Sequence, residues 1–190
     1  MSKVKFNLVG NTFTHLTNGN KGYSVHGKES KYIEWVGEDG EGTFYIDNTI
    51  NQGIVDKKDG PKYLWLLESR FIKPGMVESI IEYREEVEDA YEFIFTHDQR
   101  LLSLGDKYKW CPAQGFWIKD PKVYEKSKMI SMIASNKNMC EGHRLRLEWV
   151  DRIGDQLDLY GRGFKEIADK EEGLCDYMFS VAIENGQYET

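Results

Sequence analysis

The chain is poor in residues that cross-link or anchor a protein. It has only three cysteines and four prolines in 190 residues. Cys111, Cys140 and Cys175 are widely spaced and form no Cys-x-x-Cys pair, which argues against a disulfide framework and a cysteine-based zinc site. No stretch approaches the roughly 20 apolar residues of a membrane helix, and the N-terminal apolar run is too short for a signal peptide. These deficits favour a reduced, cytoplasmic protein with no membrane partner.

Basic residues are also in deficit. Lys and Arg number 25 against 32 Asp and Glu, for a net charge of −7. A nucleic-acid partner requires a basic surface, so we expect none, although a local basic pocket for a phosphorylated small molecule remains compatible with this charge. The four histidines, at positions 15, 26, 97 and 143, lack metal-ligand spacing, so no metal site and no cofactor is predicted.

Aromatic residues, in contrast, are abundant at 13% of the chain. Two explanations stand: the rings stack on sugars or bases, or they fill the core as large apolar side chains.

Apolar runs alternate with helical patterns along the chain, which predicts parallel sheets with right-handed crossovers. The predicted strands are 3–9, 32–36, 43–47, 63–67, 91–95, 128–134, 157–161 and 177–183, and the main predicted helices are 76–87, 144–153 and 164–170. In the helix 144–153, Leu145, Trp149, Val150 and Ile153 are expected to face inward. A break at Lys119–Lys122 divides the chain into an N-terminal α/β domain (1–120) and a partial second domain (121–190), both Rossmann-like.

One acidic residue directly follows a predicted buried strand. Glu68 comes after the apolar run Tyr63–Leu67. A carboxylate at the carboxyl end of a buried strand lies at the mouth of the sheet, partly shielded from water, which suits a general base. The alternative is a surface glutamate paired with Arg70.

Polar residues also follow the strands of the second half. Ser135-Asn136 ends one strand, and Arg144 and Arg146 are expected in the first turn of the next helix. Helix N-terminal amides and arginines bind phosphate, although two solvated arginines would give the same pattern. Glu184-Asn185 ends the last strand, where these side chains can hold sugar hydroxyls or cap the following segment.

The segment Thr96-His97-Asp98 resembles part of a catalytic triad. No G-x-S-x-G nucleophile elbow accompanies it, so we predict that Thr96 or Asp98 caps a helix instead.

Together these pieces resemble the α1,3/α1,4-fucosyltransferases, glycosyltransferase family 10. The segment Phe179–Gly186 resembles the family's F-x-x-x-F-E-N-S strand, with Ile183 in place of Phe and Gly186 in place of Ser. Ser135-Asn136 with Arg146–Gly161 is similar to the family's S-N…R…V-D-x-x-G block. Leu66-Leu67-Glu68-Ser69 resembles its strand ending in Glu-Ser. The likeness covers roughly residues 60 to 186.

The resemblance implies a GT-B fold and inverting transfer of fucose, or a related sugar, from a GDP-sugar donor to a carbohydrate acceptor. It implies Glu68 as the catalytic base and Arg146, with Arg144 as runner-up, as the contact to the donor's pyrophosphate. The other implied donor-site residues are Ser135, Asn136, Glu184 and Asn185.

The family's Tyr-x-Thr-Glu-Lys motif does not follow Glu184-Asn185. The expectation is therefore a member that is truncated at its C-terminal end. Because no N-terminal membrane anchor is recognised, the likeness is to soluble members of bacterial or viral type. Two alternatives remain: an inactive fragment with residual sugar or nucleotide binding, and a generic α/β nucleotide-binding protein. An exposed C-terminal strand would also favour a homodimer through that strand.

Overall fold

The computed structural model describes residues 2–10, 31–112, 118 and 120–186; His15 and His26 lie outside them. The chain divides into two compact units, Met1–Gly115 and Phe116–Thr190. Each unit is built on a parallel sheet, one of six strands and one of three. The prediction of an α/β fold with two parallel sheets is therefore confirmed.

The first unit contains six parallel strands in the order β2-β1-β3-β4-β5-β6. They are β1 (Val4–Val9), β2 (Ile33–Val36), β3 (Thr43–Ile46), β4 (Lys62–Trp65), β5 (Phe93–Thr96) and β6 (Tyr108–Trp110). All neighbouring strands run in the same direction, so their carboxyl ends meet at one edge of the sheet, called here the carboxyl edge. Residues that follow the strands are thereby brought together.

The described part of this unit has four α-helices: α1 (Ile50–Val55), α2 (Pro74–Glu82), α3 (Arg84–Ala90) and α4 (Gln99–Leu102). The prediction of one continuous helix over 76–87 is wrong, because two helices, α2 and α3, cover this segment. Tyr83, at φ −104° and ψ 38°, leaves the helical region and separates α2 from α3. The apolar stripe nevertheless continues across the break, because Val77, Ile80 and Val87 are all buried against the sheet.

The two faces of the six-stranded sheet carry different side chains. On the helix-covered face, Tyr45, Leu64 and Ile94 form the core with residues of α2 and α3. The alternating positions hold an aromatic layer: Phe6, Trp35, Phe44, Tyr63, Trp65, Phe93 and Phe95. Its rings pack against one another, for example Phe44 on Tyr63 with centroids 4.8 Å apart. Ring-to-ring packing within the sheet thus accounts for much of the aromatic content.

The second unit contains β7 (Lys128–Ile133), α5 (Glu141–Ile153), β8 (Asp158–Tyr160) and β9 (Tyr177–Val181), with strand order β8-β7-β9. Leu145 and Trp149, expected to face inward from α5, are instead 41% and 40% exposed. The helix is buried at its first turn, through Gly142 and His143.

The helix predicted over 164–170 is wrong. Gly161 and Gly163 adopt φ values of 112° and 85°, which turn the chain sharply after β8. Lys165 then forms a β-bridge with Tyr160, so the segment runs beside the strand end. The chain next forms the 3-10 turn Lys170–Gly173, capped by Asp169.

Within the described residues, no helix has both the length and the apolar character needed to cross a membrane.

Candidate functional site

At the carboxyl edge of the first unit, Glu68 lies three residues beyond the end of β4 and is half-buried. The backbone amides of Leu67 and Glu68 donate to Oδ1 of Asp47 at 2.8 and 3.1 Å. Asp47 directly follows β3, is fully buried, and has a φ of 44°, a conformation that costs energy in a non-glycine residue. Asp47 therefore fixes the chain at Glu68, a role that the sequence analysis missed.

Asp98 is the second buried carboxylate at this edge. Nη1 of Arg70 contacts its Oδ1 and Oδ2 at 3.0 and 2.9 Å, so Arg70 forms an ion pair with Asp98. Asp98 also accepts from the amide of Arg100 at 3.0 Å, as the N-cap of α4. Thr96 Oγ1 accepts from the amide of Asp98. The prediction that this segment caps a helix is confirmed.

Replacing Arg70 by methionine is expected to lower the free energy of unfolding by about 2 kcal/mol, because Asp98 would be left as a buried carboxylate without its cation. The Asp98 side chain is 4% exposed and that of Arg70 is 24% exposed. Urea denaturation measures the change.

Arg100→Met is the matched control for that variant. It breaks the ion pair between Arg100 and Glu78, in which both side chains are about half exposed. The free energy of unfolding is therefore expected to fall by less than about 1 kcal/mol. Equal losses in the two variants would contradict a special role for the Arg70–Asp98 pair.

At the carboxyl edge of the second unit, the loops after β7 and β8 pack tightly on each other. A Cβ on Gly161 would lie 1.9 Å from the carbonyl oxygen of Ala134, and one on Gly163 would lie 2.5 Å from Cγ of Asn136. The amide of Asn136 donates to the carbonyl of Arg162 at 3.0 Å. The two glycines are therefore required by close approach, and they place the predicted Ser135-Asn136 segment beside the loop after β8.

Arg146 connects α5 to the segment that follows β9. Its Nε donates to the carbonyl of Ile183 at 2.6 Å and its Nη2 to Oδ1 of Asn185 at 2.7 Å. These bonds use two of its five N–H groups. The amide of Gly142 donates to the carbonyl of Asn185, and a Cβ on Gly142 would lie 1.9 Å from the carbonyl oxygen of Glu184. The structure thus brings three predicted site residues together: Arg146, Glu184 and Asn185.

The position of the two arginines within α5 differs from the prediction. Because the helix begins at Glu141, Arg144 closes its first turn and Arg146 lies in the second. Arg144 is exposed, whereas Arg146 is partly buried.

Together with burial, the charge of Arg146 lowers the pKa values of two basic residues, Lys170 and His143. Burial lowers the pKa of the Lys170 ammonium, and the nearby Arg146 guanidinium lowers it further. Burial likewise lowers the pKa of His143, and the charges of Arg146 and Lys137 add to that effect. His143 Nδ1 accepts from the amide of Met139 at 3.1 Å, which leaves Nε2 to carry the proton of the neutral ring. With its pKa lowered, His143 is neutral near pH 7, so the like charges at this sheet edge are Arg146 and Lys170, and together they favour an anionic ligand.

Lys170 was not among the predicted residues. It lies 24 positions from Arg146 in sequence, on a 3-10 turn rather than at a strand end. The capping box formed by Asp169 and Glu172 marks that turn in the sequence, but nothing in the local pattern connects it to α5.

In the part of the chain that the structure describes, no group of three or more His, Cys, Asp or Glu side chains is placed to hold a metal ion.

Comparisons with models of protein families, with curated proteins and with solved structures found no match. The likeness to glycosyltransferase family 10 therefore rests on the motif residues themselves.

Proposed function

We propose that the second unit binds the diphosphate of a sugar nucleotide at its carboxyl edge. The observation that carries this proposal is the position of Arg146 at the edge where parallel sheets hold ligands: it is hydrogen-bonded to Ile183 and Asn185 after β9, and its charge adds to burial in lowering the pKa of Lys170. A diphosphate would offset the like charges and accept hydrogen bonds from the arginine. Asn136 and Ser135, which end β7, lie at the same edge.

On this basis we propose that the chain is an inverting glycosyltransferase of GT-B type, of the fucosyltransferase family that its motifs resemble. The donor is GDP-fucose or another GDP-sugar, and the acceptor is a carbohydrate. Glu184 and Asn185 supply oxygens and an amide for the hydroxyls of the donor, and Arg146 orders this segment through its bond to Asn185.

In the proposed reaction, the Glu68 carboxylate accepts the proton of the acceptor hydroxyl. The oxygen attacks the anomeric carbon from the face opposite the diphosphate, and the bond from that carbon to the diphosphate breaks with inversion. Arg146 and Lys170 stabilise the charge that develops on the departing diphosphate. The hydrogen bonds from the backbone amides of Leu67 and Glu68 to Asp47 hold the backbone of the base in place.

Two further proposals concern the cellular compartment and the oligomeric state of the protein. Cys111, Cys140 and Cys175 are all unbonded thiols, which supports a reducing, cytoplasmic compartment. On β9, Met178 is 55% and Phe179 63% exposed, which supports a homodimer through this strand.

Isothermal titration calorimetry with GDP tests the site. GDP and GDP-fucose are expected to bind, and ADP to bind more weakly, because the resemblance is to enzymes with guanine-nucleotide donors. No heat with GDP at millimolar concentration would contradict the anion site. A preference for ADP would instead contradict the family assignment while leaving the anion site in place.

The pH dependence of GDP binding gives a second readout. Because the pKa of Lys170 is lowered, its ammonium loses the proton at a lower pH than an ordinary lysine. Affinity for GDP is therefore full below that pKa and falls as the pH rises through it. Lys170→Arg, which stays charged throughout, should remove the fall. If that variant kept the wild-type profile, Lys170 would not be the titrating group.

A further inference from the structure

The first unit contains a groove of about 830 Å³, and Asp47 is the lining residue to which a role has been given above. It runs between α1 on one side and α2 and α3 on the other. Its apolar lining comes from both sides: Ile50, Ile54, Val55, Met76, Ile80 and Val87. The volume lies within the range of roughly 300–1,000 Å³ that is typical of binding pockets.

Two apolar residues at the rim of the groove are strongly exposed. Val55, at the end of α1, is 73% exposed, and Tyr83, at the break between α2 and α3, is 52% exposed. Both line the groove. Exposed apolar side chains that continue an apolar groove mark a surface on which a partner docks.

The charge along α2 and α3 is almost entirely negative. Six carboxylates stand against the single cation Arg84: Glu78, Glu82, Glu85, Glu86, Glu88 and Asp89. Glu78 pairs with Arg100, and Glu88 pairs with Arg84. The other four carboxylates are exposed, and Glu86 lines the groove itself. At the opposite end, the ammonium of Lys73 donates to Oδ1 of Asn48 at 2.7 Å.

We propose that this groove docks a cationic amphipathic helix of a partner protein. The apolar face of the helix covers Ile50, Ile54 and Val55 of α1, and its basic flank meets Glu86 and the exposed carboxylates of α2 and α3. The same carboxylates oppose an anionic amphiphile, which would find a single cation, Lys73, among the described residues that line the groove. Charge complementarity therefore selects a basic occupant.

Titration with a basic model peptide tests this proposal. The probe is an amphipathic Leu/Lys peptide of about 14 residues, roughly four helical turns, followed by methyl NMR on isoleucine-labelled protein. The methyl signals of Ile50, Ile54 and Ile80 are expected to shift, while those of Ile130 and Ile183 in the second unit stay in place. A sequence-scrambled Leu/Lys peptide should bind at least about tenfold more weakly.

A matched pair of variants separates docking from general attraction to an acidic protein. Val55→Asp places a carboxylate in the apolar contact and should weaken peptide binding about tenfold or more. Val123→Asp makes the same charge change at a fully exposed valine of the second unit and should leave binding unchanged. Non-specific electrostatic attraction would instead make both variants bind at least as well as the wild type.

Three outcomes would overturn the proposal. One is equal affinity of the two valine variants, and another is isoleucine shifts spread over both units. The third is displacement of the peptide by dodecanoate with tighter binding of that anion, which would make the groove an anionic-amphiphile site. Far-ultraviolet circular dichroism checks that both variants are folded, and the exposure of both valines makes loss of the fold unexpected.

Discussion

Replacing Gly53 by alanine is expected to lower the free energy of unfolding by about 3 kcal/mol. Gly53 lies in α1 with its Cα against the core. An added Cβ would lie 2.0 Å from the hydroxyl oxygen of Tyr91 and 2.8 Å from Cγ of Tyr45. Both rings are buried and anchored, since the Tyr91 hydroxyl donates to the carbonyl of Ile50 at 2.6 Å and the Tyr45 hydroxyl donates to Asp56. Neither ring can move aside without losing the hydrogen bond of its hydroxyl.

Gly75→Ala provides the matched control for this effect. Gly75 also lies in a helix, at the start of α2, but a Cβ there would meet no atom within 4 Å. The substitution should leave stability unchanged or raise it by about 0.5–1 kcal/mol, because alanine is the better helix former. Urea denaturation measures both. A loss in the Gly53 variant no larger than in the Gly75 variant would show that α1 shifts freely to accept a methyl group.

Arg146→Ala is expected to weaken GDP binding about 100-fold. The substitution removes a charge-assisted contact to the diphosphate, worth roughly 1.5–3 kcal/mol. It also releases the segment after β9, since the bonds to Ile183 and Asn185 are lost. Calorimetry with GDP measures the change, and thermal unfolding in parallel reports whether the second unit remains folded.

Three companion variants separate the roles of Arg146. Arg152→Ala removes an exposed arginine from the last turn of the same helix and should leave GDP binding unchanged. Asn185→Ala removes one anchor of Arg146 but keeps its charge, so most of the affinity should remain. Arg144→Ala tests Arg144, the alternative residue for the contact to the diphosphate. A large loss there, with unchanged affinity in Arg146→Ala, would move the phosphate contact to Arg144.

The parallel sheets were predictable because their strands read as short apolar runs that alternate with helical patterns. The run Tyr63–Leu67 predicts a strand where the structure has Lys62–Trp65. The predicted helix over 164–170 failed because the positive φ values of Gly161 and Gly163 are set by close approach to the loop after β7. A local apolar pattern carries no information about that contact.

The candidate sites were predictable only where a strand end was recognised. Glu68 was found because an acid follows an apolar run. Asp47 has the same signal after β3, but it was counted as the last residue of the strand. Lys170 approaches Arg146 only through the tertiary structure, and a single sequence without that structure gives no reason to connect them.

The parallel connectivity also has a consequence for how the chain folds. Every described strand pair is parallel, so none can form as a hairpin. The side-chain hydrogen bond between Asn7 and Thr43 joins residues 36 positions apart, and the one between Ser131 and Ser180 joins residues 49 positions apart. Large loops must close before any sheet contact is gained, which slows folding and leaves strand edges unpaired in the meantime. We therefore expect millisecond-to-second refolding and aggregation during refolding at high protein concentration.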